Sequence, residues 1–502
     1  MKIRRWYFSI LVVLISLIVF AIYVWLISAG TWTNWPTLSR NYSKLASSFQ
    51  RGELWLQTKP SPALLALPNP YDPAARSKAK ARFIFDSSLY NGKIYLYWGP
   101  TPAIILAGIQ ALIPINIGDQ FIVFISTYGL FIINILILLK LWRRFFYDLP
   151  AWAFLIAILL TGLTSPLLWM LSRPKMYEAA ISSGQVFLMG GFYLVYAFLE
   201  KPASSIWKLT LGGICWTLAI ASRLTLIVPV SFFTITTFLL AIKQTSKGGF
   251  PFLTRLLPAL ALPLLLGAIG LGWYNWARFD SPFETGLRYQ LTAWDLSKKV
   301  LFSFGYILPN LYNYLFNRFQ LKHTFPFLFA RAGENIRFLS IPALPISSEV
   351  IIGIVISTPF IVFALVALIF LIKGGLQRRR LATNDQEANQ PPTYLLEWAS
   401  ISLIGSIVLT FFSLLAYFYE TMRFLADFMP SLILLSVLGF WQGLQHLKIH
   451  PGKSQSLYSS SAILLATLSC VFSFLPAIAD PANLVAKYNP TLLKAIASFF
   501  GS

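Results

Sequence analysis

The chain opens with a short basic stretch, Met1 to Arg5, followed by an apolar run over residues 8–29. The run is longer than a signal-peptide core and carries no clear small-x-small cleavage site, so it predicts a retained membrane helix with a cytoplasmic amino terminus. Further apolar stretches of spanning length fall near 119–140, 151–170, 179–199, 206–242, 253–274, 350–372, 397–417, 424–444 and 459–479. The 206–242 stretch is too long for one helix and is interrupted by Ser222, Arg223 and Thr225. A charge inside such a run is least costly at a hairpin turn at the interface. The pattern predicts an all-α polytopic membrane protein with about eleven transmembrane helices.

These runs divide the chain into a first helix (1–29), an outer loop (30–118), helices two to seven (119–274), a second outer loop (275–349), helices eight to eleven (350–479) and an outer tail (480–502). A cytoplasmic loop at 373–396 interrupts the last group. Connections near 140–150, 200–208, 243–255, 373–396 and 445–458 hold Lys140, Arg143, Arg144, Lys201, Lys208, Lys243, Lys247, Arg255, Lys373, Arg378, Arg379, Arg380, Lys448 and Lys453. That is the Lys/Arg bias of the cytoplasmic side, and it places the carboxyl terminus outside. The sidedness requires that residues 98–115 do not cross. They begin Gly99-Pro100-Thr101-Pro102 and end at Pro114, which predicts an interfacial or re-entrant helix.

Within the first outer loop, Tyr42, Leu45, Ala46 and Phe49 recur at helical spacing among Arg40, Lys44 and Arg51, an amphipathic helix suited to lie on a headgroup layer. The stretch Leu67-Pro68-Asn69-Pro70-Tyr71-Asp72-Pro73 cannot be regular helix, because each proline removes a donor and restrains its predecessor. Asn91-Gly92, flanked by Leu89-Tyr90 and Ile94-Tyr95-Leu96-Tyr97-Trp98, predicts a two-residue hairpin. Gln377 to Thr393 reads as a low-complexity linker.

Composition supports the membrane reading: 57% of residues are hydrophobic and only 12% charged, against about 25% charged in a soluble chain. The net charge of +22 would suggest nucleic acid on a soluble protein, but the topology absorbs much of it, and no nucleic-acid partner is expected. Cys215 and Cys470 both sit inside apolar runs, which excludes a disulfide framework and a thiolate metal site. There is no phosphate-cradling Gly-Lys-Ser loop, no His-Glu-x-x-His and no nucleophile elbow, and His323, His446 and His450 are scattered.

Acids are few, so those near the outer face are weighed singly: Asp72, Asp86, Glu178, Asp280, Glu284, Glu420 and Asp427. Asp86, just before the hairpin, is either a turn carboxylate accepting backbone N–H groups or a general base at the membrane face. Glu178 enters the fourth span behind Arg173-Pro174-Lys175; it either stabilises a helix start or belongs to a site. Arg423 and Asp427 stand four apart, hence on one helix face at the outer end of the tenth span, as a structural ion pair or as site residues. Arg223 has no acid nearby in sequence, so it either snorkels or binds a lipid phosphate through its fork of donors. Trp and Tyr faces can stack on sugar rings, but they also gather at membrane interfaces whatever the ligand.

Four segments carry a resemblance: Tyr42-Ser43-Lys44-Leu45-Ala46 through Gly52-Glu53-Leu54, Asp86 to Lys93 through Gly99-Pro100, Tyr274 to Phe283, and Arg423 to Pro430. The chain resembles the membrane glycosyltransferases of the C class, specifically bacterial relatives of protein mannosyltransferases and lipid A aminoarabinose transferases. The resemblance implies a long first outer loop over a helical bundle in the bacterial plasma membrane, with the active site between loop and bundle. It implies transfer of a sugar from a polyprenyl-phosphate donor to an acceptor hydroxyl at the outer face. Asp86 and Glu178 are then the catalytic candidates, and Arg173, Arg223 and Arg423 the candidates for the lipid phosphate. Asp280, Glu284, Arg288 and Asp427 are further candidates, and loop acids could hold a divalent cation through their oxygens. One departure stands out. Such enzymes place an acid ahead of the Tyr-x-x-Leu-Ala helix, where this chain has Arg40-Asn41 and no Asp or Glu before Glu53. A non-enzymatic lipid or polysaccharide carrier, or a scaffold subunit of an envelope-polymer assembly, is the competing reading.

Overall fold

The apolar runs become helices, the form in which a single segment satisfies its own backbone in lipid. A computed structural model describes the chain apart from residues 1, 114, 202–204, 246–249, 337–343, 382–392, 450–451, 480–483 and 502. Pro114, Lys247 and most of the Gln377 to Thr393 linker therefore lie outside the described residues. Helices α1 (Lys2–Ile27), α2 (Asn41–Phe49), α3 (Pro62–Leu65) and α4 (Pro73–Lys78) precede a hairpin of β1 (Ser88–Tyr90) and β2 (Lys93–Tyr95). Then follow α5 (Thr101–Leu112), α6 (Asp119–Phe145), α7 (Ala151–Leu163), α8 (Leu167–Ser172), α9 (Met176–Glu200), α10 (Ile206–Ser222), α11 (Ile227–Thr245) and α12 (Phe250–Phe279). The second loop holds α13 (Ile307–Phe316) and α14 (Ile354–Ser357) and leads to α15 (Phe363–Leu381), α16 (Tyr394–Leu415), α17 (Met429–Lys448) and α18 (Lys453–Ile478). The short α19 (Leu484–Tyr488) and α20 (Pro490–Phe499) end the chain.

The protein is a multi-pass helical membrane protein: among the described residues, eight helices are long and apolar enough to cross a bilayer on their own. Three of the eleven expected runs do not meet that standard. Ile206–Ser222 and Pro359–Gly375 are shorter. α17 is enclosed by its neighbours over most of its length, so it can carry Gln442, Gln445 and His446 without the apolar surface a lipid-facing helix needs. The run expected from 350 also begins later than its hydropathy suggests, because Val350–Ile351 pairs with Arg331–Ala332 as an antiparallel ladder.

α9 packs between α6 and α10, and α17 against α15 and α16. Gly439 permits the α15–α17 contact, since a Cβ there would lie 1.9 Å from the Phe363 carbonyl oxygen. At one end of the bundle, Lys140 pairs with Glu200, Gln445 Nε2 donates to the Phe145 carbonyl (3.1 Å) and Lys448 Nζ to that of Asp148 (2.7 Å). The starts of α9 and α17 and the ends of α10, α12 and α16 meet at the other end, together with the hairpin and both long loops.

The 98–115 segment stays at that second end. Gly99 abuts the carbonyl oxygens of Ala221 and Ser222, which a Cβ would approach to 2.1 and 2.7 Å. Thr101 Oγ1 donates to the Leu218 carbonyl (3.0 Å). The 12 residues of α5 span about 18 Å, short of the ~30 Å hydrocarbon core. α2 departs from expectation. It does not lie free on a headgroup layer but is packed against α5, with Tyr42, Leu45 and Ala46 fully buried. Asp119, at the start of α6, holds it there: its carboxylate accepts from Ser39 Oγ (2.5 Å) and from the backbone N–H groups of Asn41 (3.1 Å) and Tyr42 (3.2 Å).

Candidate active site

The Asn91-Gly92 turn positions the site. Both residues have positive φ, 45° and 70°, as a two-residue hairpin with right-twisted strands demands. Ser88 pairs with Tyr95 and Leu89 with Ile94, and Ser88 Oγ donates to the Gly286 carbonyl (2.7 Å), joining the hairpin to the second long loop. Just before β1, Asp86 N–H donates to the Leu291 carbonyl (2.9 Å) and Leu291 N–H to that of Ser87 (2.7 Å). Asp86 itself has φ +58°, a left-handed conformation that Asp tolerates better than most residues. Its Oδ2 accepts from the Tyr177 hydroxyl at 2.6 Å, while Oδ1 is buried with no partner of good geometry among the described residues. Burial pushes its carboxyl above the usual range, against the pull of the Tyr177 and Thr292 hydroxyls and of Arg423.

Asp86 borders a polar cavity of about 320 Å³ shared with Arg173, Lys175, Glu178, Glu349 and Arg423. Arg423 Nη1 donates to Glu349 Oε2 (2.7 Å), its guanidinium lies 4.7 Å from the Tyr177 ring centre, and its Nε is buried without a good partner. Burial alone would raise the Glu349 carboxyl, but Arg423 and the hydroxyls of Tyr419 and Thr421 outweigh it and hold it at about 2. Glu178 Oε2 accepts from the Lys175 N–H (3.2 Å), the geometry of a helix-start stabiliser, lines the cavity and stands within electrostatic reach of Arg423.

Tyr97, Trp98, Tyr417 and Phe424 form a wall common to the polar cavity and to an apolar one of about 450 Å³. The apolar cavity in turn shares Ile220, Leu224, Leu271, Asn275 and Thr285 with a larger apolar space of about 1160 Å³ between α10, α11 and α12. Arg223 lines the middle cavity but is not alone: Nε and Nη2 donate to Asp427 Oδ1 (2.6 Å) and Oδ2 (2.7 Å). The expected Arg423–Asp427 pair is therefore replaced by two others, Arg223–Asp427 and Arg423–Glu349.

Other candidates lie outside these cavities. Asp280 accepts from the Tyr90 hydroxyl (2.9 Å), and Glu284 from the Gly286 N–H (2.8 Å). Arg288 is 70% exposed, with Glu284 3.8 Å away. Asp72 caps α4 through the Ala74 N–H (2.9 Å). Among the described residues no three His, Cys, Asp or Glu side chains stand together so as to hold a metal ion. Glu420 is fully buried behind the Arg423–Glu349 pair, both its oxygens lack partners of good geometry, and burial pushes its carboxyl up to about 8. The sequence reading missed Lys175, Tyr177, Glu349 and Asp119. Glu349 and Asp119 carried a signal, since each is an acid at the margin of an apolar run in a chain with only 18 acids.

No protein-family model matches the sequence, and no curated protein matches it. Among solved structures, the chain is similar to an Archaeoglobus fulgidus oligosaccharyltransferase tethered to an acceptor peptide containing the NVT sequon, with 15% identity, a TM-score of 0.44 and coverage of 93% of this chain. The chain spans 55% of that protein's length. It is also similar to ArnT from Cupriavidus metallidurans bound to undecaprenyl phosphate, with 12% identity, a TM-score of 0.38 and coverage of 97% of this chain and 78% of that one.

Proposed function

We propose that the protein is a membrane glycosyltransferase of the C class, moving a sugar from a polyprenyl-phosphate donor to an acceptor hydroxyl at the outer face of a bacterial plasma membrane. The observation that carries this reading is the two-part cavity. A polar chamber lined by three acids and three cations shares a wall of four aromatic side chains with apolar space between helices. An amphiphile with a charged, sugar-bearing head and a long hydrocarbon tail fits that division, since apolar pockets with a few converging polar groups are the usual form of ligand sites.

In this reading Asp86 takes the proton of the acceptor hydroxyl, whose oxygen attacks the anomeric carbon as the bond to the phosphate oxygen breaks. Arg423, with Arg173 and Lys175, stabilises the departing phosphate, because donors placed where charge develops lower the barrier without reorganising. Arg223 is a structural member of the wall, its fork already engaged by Asp427. Glu178 holds the start of α9. The Lys/Arg-rich connections support a cytoplasmic position for the opposite end of the bundle, with the amino terminus there and the carboxyl terminus outside.

The test is single-turnover release of polyprenyl phosphate from a panel of polyprenyl-linked sugars by the full chain in proteoliposomes. Asp86→Asn is expected to lower it by about 10²- to 10⁴-fold, the usual worth of a general base, with donor binding intact. Full activity in that variant would return Asp86 to a turn residue. Binding without transfer in the unsubstituted protein would put the carrier reading first.

A further inference from the structure

Resting on the reading of Asp86 as the base, we infer that Tyr177 is its positioning residue: the hydroxyl ties down one carboxylate oxygen of Asp86 and leaves the other to meet the substrate proton. The two residues are 91 positions apart in the chain and belong to different elements, yet their oxygens approach to 2.6 Å. Tyr177 cannot easily turn away. It is the second residue of α9, whose first turn is closed by Glu178 on the Lys175 N–H, and its ring packs on the Arg423 guanidinium (4.7 Å) and, edge to face, on the Trp98 ring (5.7 Å between centroids). Asp86 is fixed from its own side by the backbone bonds around Leu291 and by a left-handed φ. Unfavourable backbone conformations that persist mark positions the surrounding structure over-determines, and they cluster at active sites.

A hydrogen bond donated to a carboxylate favours the ionised form, the form a base must have. The charged and titratable groups facing Asp86 come from every neighbouring element. They are Tyr97 after β2, Arg173 and Lys175 before α9, Tyr177 and Glu178 on α9, Glu349 at the end of the second loop, and Tyr417, Tyr419 and Arg423 after α16. The cations act with Tyr177, whereas Glu178, Glu349 and burial oppose it. Without the hydroxyl, Asp86 should keep its proton to higher pH.

Infrared titration of the substrate-free protein in proteoliposomes tests this directly, taking the protonated-carboxyl band that disappears in Asp86→Asn as the reporter of Asp86. In Tyr177→Phe the midpoint should rise by about one pH unit, the scale of one hydrogen bond to a charged group. Thr292→Val should move it the same way by less. Transfer by Tyr177→Phe, relative to the unsubstituted protein, should then recover as pH rises. An unmoved midpoint, or a loss of transfer independent of pH, would overturn the assignment. If Asp86→Asn transfers at full rate while the Tyr177→Phe midpoint still moves, the pairing stands and the base role alone falls.

Discussion

Two buried arginines flank Phe424 and have opposite local chemistry. The Arg223 guanidinium lies 5.2 Å from the Phe424 ring centre and that of Arg423 lies 5.9 Å away. Arg223 is closed: two of its donors reach both oxygens of Asp427, which also accepts from Thr225 (3.3 Å). Arg423 is open: it makes one bond to Glu349 and keeps a buried Nε without a good partner beside a polar cavity. The first commits two of its nitrogens to one carboxylate, and the second commits one and keeps a buried Nε for a ligand. The reversal of the expected pairing has a local cause. Met422–Asp427 is a 3₁₀ helix, and at about three residues per turn positions four apart diverge by roughly 120°, whereas in an α-helix they share a face.

The largest effect is expected from Arg223→Ala, which strands a fully buried Asp427 and should cost about 3–5 kcal/mol of stability, read as a fall in unfolding temperature. A paired replacement, Arg223→Met with Asp427→Leu, should restore most of it. Arg423→Ala should instead leave most stability and weaken polyprenyl-phosphate affinity by about 10- to 100-fold, with Arg423→Lys intermediate because an ammonium lacks the planar fork. Equal loss of affinity in Arg223→Ala at unchanged stability would erase the distinction.

Glu420 gives the third test, since Glu349 N–H donates to its carbonyl (3.0 Å) and links it to the open pair. Its folded carboxyl titrates near 8, against about 4.3 when unfolded. The folded state therefore binds more protons between those values, and stability should fall as pH rises through that window and level off above it. Glu420→Gln should flatten the slope and be the more stable form at alkaline pH. The smallest perturbation is single-cysteine labelling after Cys215 and Cys470 are replaced: positions 72 and 288 should react from the side opposite to position 147. Reaction of all three from one side would place the two arginines away from the outer face.

What was legible in the sequence was local. The Asn91-Gly92 hairpin, the short helix α5 behind Gly99-Pro100 and the helical runs each follow from a few adjacent residues. Asp86 could be singled out because it heads that turn. Its partner Tyr177 could not, because nothing within a short window relates two residues 91 positions apart. Arg223 looked solitary for the same reason, as Asp427 lies 204 positions away. The α2 helix was identified correctly as amphipathic, but its apolar face found protein rather than lipid, a choice that hydropathy does not encode.

The clamp of Asp119 on α2 also imposes an order on biogenesis. The first loop helix emerges long before residue 119 is synthesised, so its terminal amides have no carboxylate to receive them until α6 begins to enter the bilayer. Docking of the first long loop is thus contingent on a later segment. The carboxylate that receives the start of α2 comes from a residue 78 positions further along the chain, where it serves as a fastening.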